Sequence, residues 1–404
     1  MKKVFETCAI GTLQLKNRIL RSATHEGMAN EDGTPTDDLY KTYKKIAAGG
    51  AGAIITGYVG VKQNGKTFAN MRMFDSDKYV DSYSAINAGL KEHKTPIILQ
   101  VAHGGSRSNS KITGQEVVGP SFKKKNEYGD ICREASETEI EEIINAFVGA
   151  ISNAKKAGFD GVQIHAAHGY LLSEFISPVL NKRSDKWGGT TENRLRIVRE
   201  ILLKAREAVN NYPLLIKISA HDEFKNGLKL DEAIKIAEIL QNSYCDAIEV
   251  SCGYGDFFYT VRMPQIPVDA IIKFVPLYRE LSPFKKYLLK IIAPFVMKNY
   301  KPIHNYNVDG AELIRRNVDI PVIVVGGIRS LSDITEIITE KNIDFISMSR
   351  PFIIEPNIVE KFQKGIQAES RCINCGYCLF NVAGNKLRCY YGKIPKEKDK
   401  QAFA

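Results

Sequence analysis

Short apolar runs rich in β-branched residues alternate along most of the chain with longer segments whose apolar positions recur every three to four residues. The short runs are RILRS (18–22), AGAIIT (51–56), PIILQV (96–101), DGVQIH (160–165), LLIKI (214–218), DAIEVS (246–251), IPVIVV (320–325) and DFISM (344–348). They are continuous rather than strictly alternating, which suits parallel strands covered on both faces. The longer segments predict helices over 37–48, 77–92, 136–157, 191–210, 230–242, 310–317, 330–340 and 357–365. Ser136 and Glu139 have the spacing of a capping box at the start of the third. Strand–helix alternation repeated eight times predicts an α/β chain folded as a (β/α)8 TIM barrel. A doubly wound open sheet is the alternative. It usually has fewer units and a glycine fingerprint after its first strand, and no GxGxxG occurs there.

Two segments fall outside the repeat. Residues 253–309 form a long excursion between the sixth strand and its helix, rich in aromatic and basic residues, among them Phe257, Phe258, Tyr259 and Arg262. On a barrel it belongs to the catalytic rim, so a lid or substrate wall is expected, with a packing or dimer-contact insertion as the plainer reading. Residues 366–404 carry a cysteine cluster and a polar tail. The expected division is therefore a barrel over 1–365 and a Cys-rich extension over 366–404.

The 404 residues are 44% apolar and 25% charged, enough for a large core without disulfides. Lys and Arg exceed Asp and Glu by 56 to 46, a net charge of +10. The basic residues are spread out apart from clusters such as Lys123–Lys125, which read as solvated faces; no nucleic-acid partner is expected, while an anionic ligand stays open. No apolar run reaches the length of a membrane span. The first residues lack the apolar core of a signal peptide. A cytoplasmic protein is the expectation, with a homo-oligomer left open.

Barrel chemistry sits at the C-terminal ends of strands. The fourth run ends in His165, with His168 and Tyr170 just beyond. Two imidazoles so placed can donate to one carbonyl or nitro oxygen, and a tyrosine can protonate an adjacent carbon. Zinc is a poorer reading, because no third ligand stands nearby.

The stretch GVQIHAAHGYLLSEFISPVLNKRSDKWGGTTENRLRIVRE (161–200) resembles the Old Yellow Enzyme family of FMN-dependent oxidoreductases. LKNRILRSAT (15–24), LQVAHGG (99–105), IKISAHD (216–222), IPVIVVGGI (320–328) and ISMSRPFIIEP (346–356) match in the family's order. The resemblance implies FMN in the barrel mouth. Gln100 would pair with its pyrimidine edge, and Lys217 would place positive charge near N1 and O2. The backbone around Ala23, Thr24 and Gly57 would approach the ring. Gly326-Gly327 and Ser349-Arg350, after strands seven and eight, would hold the phosphate. His165 and His168 would bind the electron-withdrawing oxygen of an α,β-unsaturated carbonyl substrate, and Tyr170 would protonate its α-carbon.

Cys372, Cys375, Cys378 and Cys389 are spaced C-x2-C-x2-C-x10-C. Four thiolates so spaced can bind a [4Fe–4S] cluster or one tetrahedral zinc. In a reducing compartment such clustering points to metal rather than disulfide. The spacing, and His25 in SATHEG, are similar to the 2,4-dienoyl-CoA reductase and trimethylamine dehydrogenase branch of the family. Members of that branch continue into a second nucleotide-binding region, and a chain ending at Ala404 is expected to lack it. NAD(P)H, or a separate donor protein if a cluster is present, would then supply electrons. FYTVRMP (258–264) has Tyr259 where dienoyl-CoA reductases carry histidine, so another enone or enoate is expected as the small-molecule substrate. Oxidative demethylation of amines, and an electron-transfer subunit without a substrate, are the competing readings.

Overall fold

A computed structural model describes residues 2–126, 128–222, 224–254, 267–296, 304–382 and 385–390. Tyr259 and its neighbours, and the lysine-rich tail after Tyr390, lie outside the described residues.

All eight predicted strands form: β1 (Ile19–Arg21), β2 (Ala53–Ile55), β3 (Ile97–Ala102), β4 (Gly161–Ala166), β5 (Leu214–Ser219), β6 (Ala247–Ser251), β7 (Val322–Val325) and β8 (Phe345–Met348). Each pairs in parallel with the next, and β8 pairs back onto β1, closing the (β/α)8 barrel. The outer helices are α1 (Asp37–Ala48), α2 (Val80–Leu90), α3 (Glu137–Lys156), α4 (Thr191–Val209), α5 (Leu230–Gln241), α6 (Val308–Arg315), α7 (Leu331–Thr339) and α8 (Ile358–Gln363). The capping box at α3 is present: Ser136 accepts from the Glu139 N–H, and Glu139 accepts from the Ser136 N–H at 2.8 Å. Such a cap is worth about 1 kcal/mol. The α6 helix begins at Val308, two residues before its expected start; Asn307 at its N-cap makes no side-chain cap bond and instead donates through Nδ2 to the Val325 carbonyl.

The barrel interior changes character along its axis. Near the N-terminal ends Leu20, Ile98, Leu215, Ala247, Ile323 and Phe345 pack together, closed from below by a hairpin pairing Cys8–Ile10 with Leu13–Leu15. Side chains two residues apart on a strand share a face. One such step toward the mouth brings Ser22, Gln100, Lys217, Glu249 and Ser347 inside, all buried. Substituting an apolar floor for a polar ceiling over one step of strand places the chemistry at the C-terminal end.

Within the excursion, helices span Val268–Phe274, Pro276–Arg279 and Pro283–Val296. The first packs its Ala270 and Ile271 against Phe380 of the Cys-rich extension. That extension is tied to the barrel by Glu355, whose carboxylate accepts from the Arg371 N–H at 2.8 Å and from Ser370 Oγ at 3.1 Å. No helix among the described residues is long and apolar enough to cross a membrane.

Candidate functional site

The polar layer is a connected hydrogen-bond chain across five strands, β3, β4, β5, β6 and β8, joined by Ser22 just after β1. Gln100 Nε2 donates to Gln163 Oε1 at 2.7 Å, and Gln163 Nε2 donates to Glu249 Oε2 at 2.7 Å. Lys217 Nζ lies 3.2 Å from the same Glu249 oxygen and donates to Ser22 Oγ at 3.0 Å. Ser22 and Ser347 both donate to Glu249 Oε1, at 2.7 and 2.6 Å. Strand register imposes this: Gln163 pairs with Gln100, His165 with Lys217, and Lys217 with Glu249. Burial alone would raise the Glu249 pKa, but Lys217 and the donors from Ser347, Ser22 and Gln163 hold it below the usual carboxylate value. Gln163 and Glu249 were not among the expected site residues. Their signal was a polar side chain inside an otherwise apolar buried strand.

His165, His168 and Tyr170 converge as the sequence suggests. The His165 ring centroid lies 5.1 Å from that of His168 and 4.9 Å from that of Tyr170, both edge to face. His165 still belongs to β4, whereas His168 follows it in a left-handed conformation with φ +62°. His165 Nδ1 accepts from the Ala167 N–H at 3.3 Å, which places the proton of the neutral ring on Nε2. His168 Nε2 is 2.7 Å from Ser251 Oγ. Burial, with Lys217 and Arg107 nearby, lowers the His168 pKa to about 3. Burial, His168 and Lys217 lower that of His165 well below 6.5. Both rings are therefore neutral at ordinary pH.

Tyr170 donates to the Tyr58 hydroxyl at 3.1 Å, and Tyr58 is 3.1 Å from Thr67 Oγ1. Tyr58 occupies a break after β2, beyond which pairing with β3 resumes at Val59–Gly60. The break turns its side chain into the mouth, which the local sequence TGYVG does not announce. The His25 ring stacks between Tyr58 and Phe68, at 5.3 and 5.0 Å. Burial lowers its pKa to about 4, and its Nε2 is buried without a protein hydrogen bond.

The remaining expected residues divide. Thr24 Oγ1 and Ser349 Oγ lie 2.6 Å apart, linking the loops after β1 and β8 beside the half-buried Ala23. Gly326 and Gly327 adopt φ +140° and +75°, conformations that favour glycine. Gly57 is explained by its own chain: its N–H donates to Glu26 at 2.9 Å, its carbonyl accepts from Arg72, and a Cβ there would lie 2.0 Å from Glu26 Oε2. Glu26 is in turn ion-paired with Arg21 and Arg72.

Cys372, Cys375, Cys378 and Cys389 line one small shared cavity together with Arg350. All eight cysteines are free thiols. Among the described residues no three His, Cys, Asp or Glu side chains are drawn to metal-binding distances. Arg350, expected at the phosphate, thus also borders the thiol cavity.

This arrangement can be set beside known proteins. A family model described as the NADH:flavin oxidoreductase / NADH oxidase family matches residues 3–254 and 276–369. The chain belongs to that family. That family is one of flavin oxidoreductases whose flavin is FMN. It is 34% identical over 390 residues to an NADH oxidase of Thermoanaerobacter brockii, covering 95% of this chain but 54% of that relative's length. It is 29% identical to an NADPH dehydrogenase of Clostridium acetobutylicum, covering 88% of this chain and 93% of the relative. The structure of an Old Yellow Enzyme homologue from Zymomonas mobilis shares the fold with a TM-score of 0.73 and 23% identity, covering 93% of this chain and 96% of the other.

Proposed function

We propose that this family member is an NAD(P)H-dependent ene-reductase, binding FMN in the barrel mouth and reducing the C=C bond of an α,β-unsaturated carbonyl compound. The residues present fit the flavin. The mouth offers a buried cation at Lys217, an amide at Gln100, a buried His25 nitrogen without a protein partner, and two glycines at positive φ after β7. Lys217 and Gln100 would hold the pyrimidine edge, with Ala23, Thr24 and His25 along the ring. Gly326, Gly327, Ser349 and Arg350 would hold the phosphate. Bound FMN supplies a carrier that takes hydride from NAD(P)H and returns it to substrate.

The observation that carries the reading is the convergence of His165, His168 and Tyr170 beside Lys217. The Nε2–H of neutral His165 points a donor at an oxygen that gains negative charge as the bond is reduced. His168, held by Ser251, supplies the second. Tyr170, steadied by Tyr58, delivers a proton to the α-carbon and exchanges it along the Tyr58–Thr67 chain. An amine substrate fits less well. Its ammonium would enter beside Lys217, and Arg107 already lies over the Tyr170 ring at 6.0 Å.

The four clustered cysteines are read as the ligands of a [4Fe–4S] cluster held by the 366–404 extension. Support comes from their spacing and shared cavity, and ligation requires the four sulfurs to draw together. Iron and acid-labile sulfide near four each per chain in anaerobically purified protein is the expected result; one zinc per chain would replace the reading. For the main proposal the test is anaerobic turnover of 2-cyclohexenone with NADH and with NADPH. Cyclohexanone formed in step with cofactor oxidation is expected. Flavin reduction without any product would leave only an NAD(P)H oxidase.

A further inference from the structure

The Pro283–Val296 helix, in the excursion after β6, turns its more apolar side away from the protein. Its inward-facing positions are Lys286, Leu289 and the buried Ala293. On the other side Phe284, Tyr287, Leu288, Ile291 and Ile292 are each 43–72% exposed. These five follow the i, i+3, i+4, i+7, i+8 spacing, so they form one continuous stripe. At 100° per residue, Lys285 and Lys290 fall on opposite borders of that stripe. The helix has no acidic residue. Lys290 pairs at 3.0 Å with Asp269, a contact exposed on both sides. A stripe of this size on the outside of the barrel is not accounted for by packing among the described residues.

We infer that this helix is an interfacial anchor that lies flat on an anionic lipid bilayer. An apolar stripe bordered by lysines matches a headgroup boundary: the aromatic and aliphatic side chains enter the acyl region, and the two lysines reach back to anionic headgroups. Fourteen residues are too few to span, so the helix would lie in the plane of the surface. Charge complementarity selects the surface: Lys285 and Lys290 flank the stripe on a helix without acids, and Lys290 is offset only by the exposed Asp269.

A second feature agrees. The loops after β3, β5 and β6 meet at Tyr254, where Lys123 Nζ is 3.0 Å from the Tyr254 hydroxyl and the Phe224 ring centroid is 5.0 Å from that of Tyr254. Phe122 and Phe224 are exposed on these loops, beside Lys123 and Lys225. The same apolar and basic chemistry therefore recurs on the rim that carries the excursion.

The test is flotation of the full chain with phosphatidylcholine vesicles that do or do not contain phosphatidylglycerol. Flotation with the anionic vesicles, reduced by high salt, is expected. Ile291→Asp/Ile292→Asp should weaken partitioning by about tenfold or more while leaving flavin content and melting temperature unchanged. Lys285→Glu/Lys290→Glu should remove the preference for anionic lipid. Wild-type protein that stays in the soluble fraction with both vesicle types would overturn the inference. So would equal flotation of the double aspartate variant. Light scattering provides a further check: a dimer that Ile291→Asp/Ile292→Asp converts to monomer, without vesicle binding by either, would assign the stripe to a second copy of the chain instead.

Discussion

Glu249, wholly buried, holds its carboxylate 3.2 Å from the Lys217 ammonium, and neither charge reaches water. The pair is compensated by Gln163, Ser22 and Ser347, so each carboxylate oxygen is satisfied. The barrel thus stores a fixed cation under its mouth, positioned by an anion one strand away.

Breaking that pair should cost stability as well as activity. Lys217→Met leaves an uncompensated buried carboxylate, a loss of about 3–5 kcal/mol. The double variant Lys217→Met/Glu249→Gln should recover a large part of it in urea unfolding, although flavin reduction by NAD(P)H stays slow. Because the folded Glu249 pKa is depressed, its contribution is complete above about pH 4.5 and is lost as pH falls below that value. Equal stability of the wild type and Lys217→Met would contradict this account.

The histidines set a second pH dependence. His25, His103 and His168 have pKa values lowered by burial to about 4, 3 and 3, and His165 lies well below 6.5. In the unfolded chain they bind protons near pH 6.5, and in the folded chain they do not. Their contribution is therefore complete above about pH 6.5 and declines toward pH 3. Glu174 has the opposite sign: burial raises its pKa to about 6, so the fold gains as pH falls from there toward 4.5. Four groups against one should lower the melting temperature between pH 7 and pH 5. Over the same range, kcat/KM for the enone should show no histidine ionisation; a limb near pH 6.5 that His168→Asn abolishes would mean the rings titrate in the folded protein.

The two tyrosines can be separated. Tyr170→Phe removes the acid and should slow enone reduction by about 100-fold or more. NAD(P)H-driven flavin reduction should be unaffected. Tyr58→Phe removes only the oxygen that Tyr170 donates to, a loss of about tenfold, with KM nearly constant. Stopped-flow measurement of the two half-reactions distinguishes them. A Tyr58→Phe effect confined to the NAD(P)H half-reaction would reassign Tyr58 to cofactor binding.

Much of this was legible in the residues. The eight apolar runs each became a strand because buried parallel strands need no polar face. Ser136 and Glu139 capped α3 because that interaction is local. His165, His168 and Tyr170 were visible because they are adjacent in sequence. Gln163 and Glu249 were not, since a polar residue in a buried strand acquires its partners only through register with strands from about 30 to more than 200 residues away. Tyr58 depends on a break in β2. Arg350 beside the thiol cavity depends on how the extension docks, a contact between segments that no local pattern encodes.

That docking has its own test at Glu355. The fully buried carboxylate accepts from Arg371 N, Arg371 Nε, Ser370 Oγ and Lys361 Nζ, all within 3.1 Å, and so fixes the backbone immediately before Cys372. Arg329 braces the next residue by donating to the Cys372 carbonyl at 2.8 Å. Glu355→Gln keeps the shape but loses the charge, and it turns an acceptor toward donors as a competing donor, at a cost of about 1–3 kcal/mol. The barrel is closed by its own strand pairing, so flavin content should be retained. The cysteine segment should loosen: thiol titration should find Cys372, Cys375, Cys378 and Cys389 reacting faster, and iron and sulfide per chain should fall. Lys361→Met, which removes one donor from the same carboxylate, should give a smaller change in the same direction. Unchanged thiol reactivity and unchanged iron in Glu355→Gln would show that the extension is held by the Phe380 contact with the Val268–Phe274 helix instead, and a Phe380→Ala variant would then produce the loosening that Glu355→Gln did not.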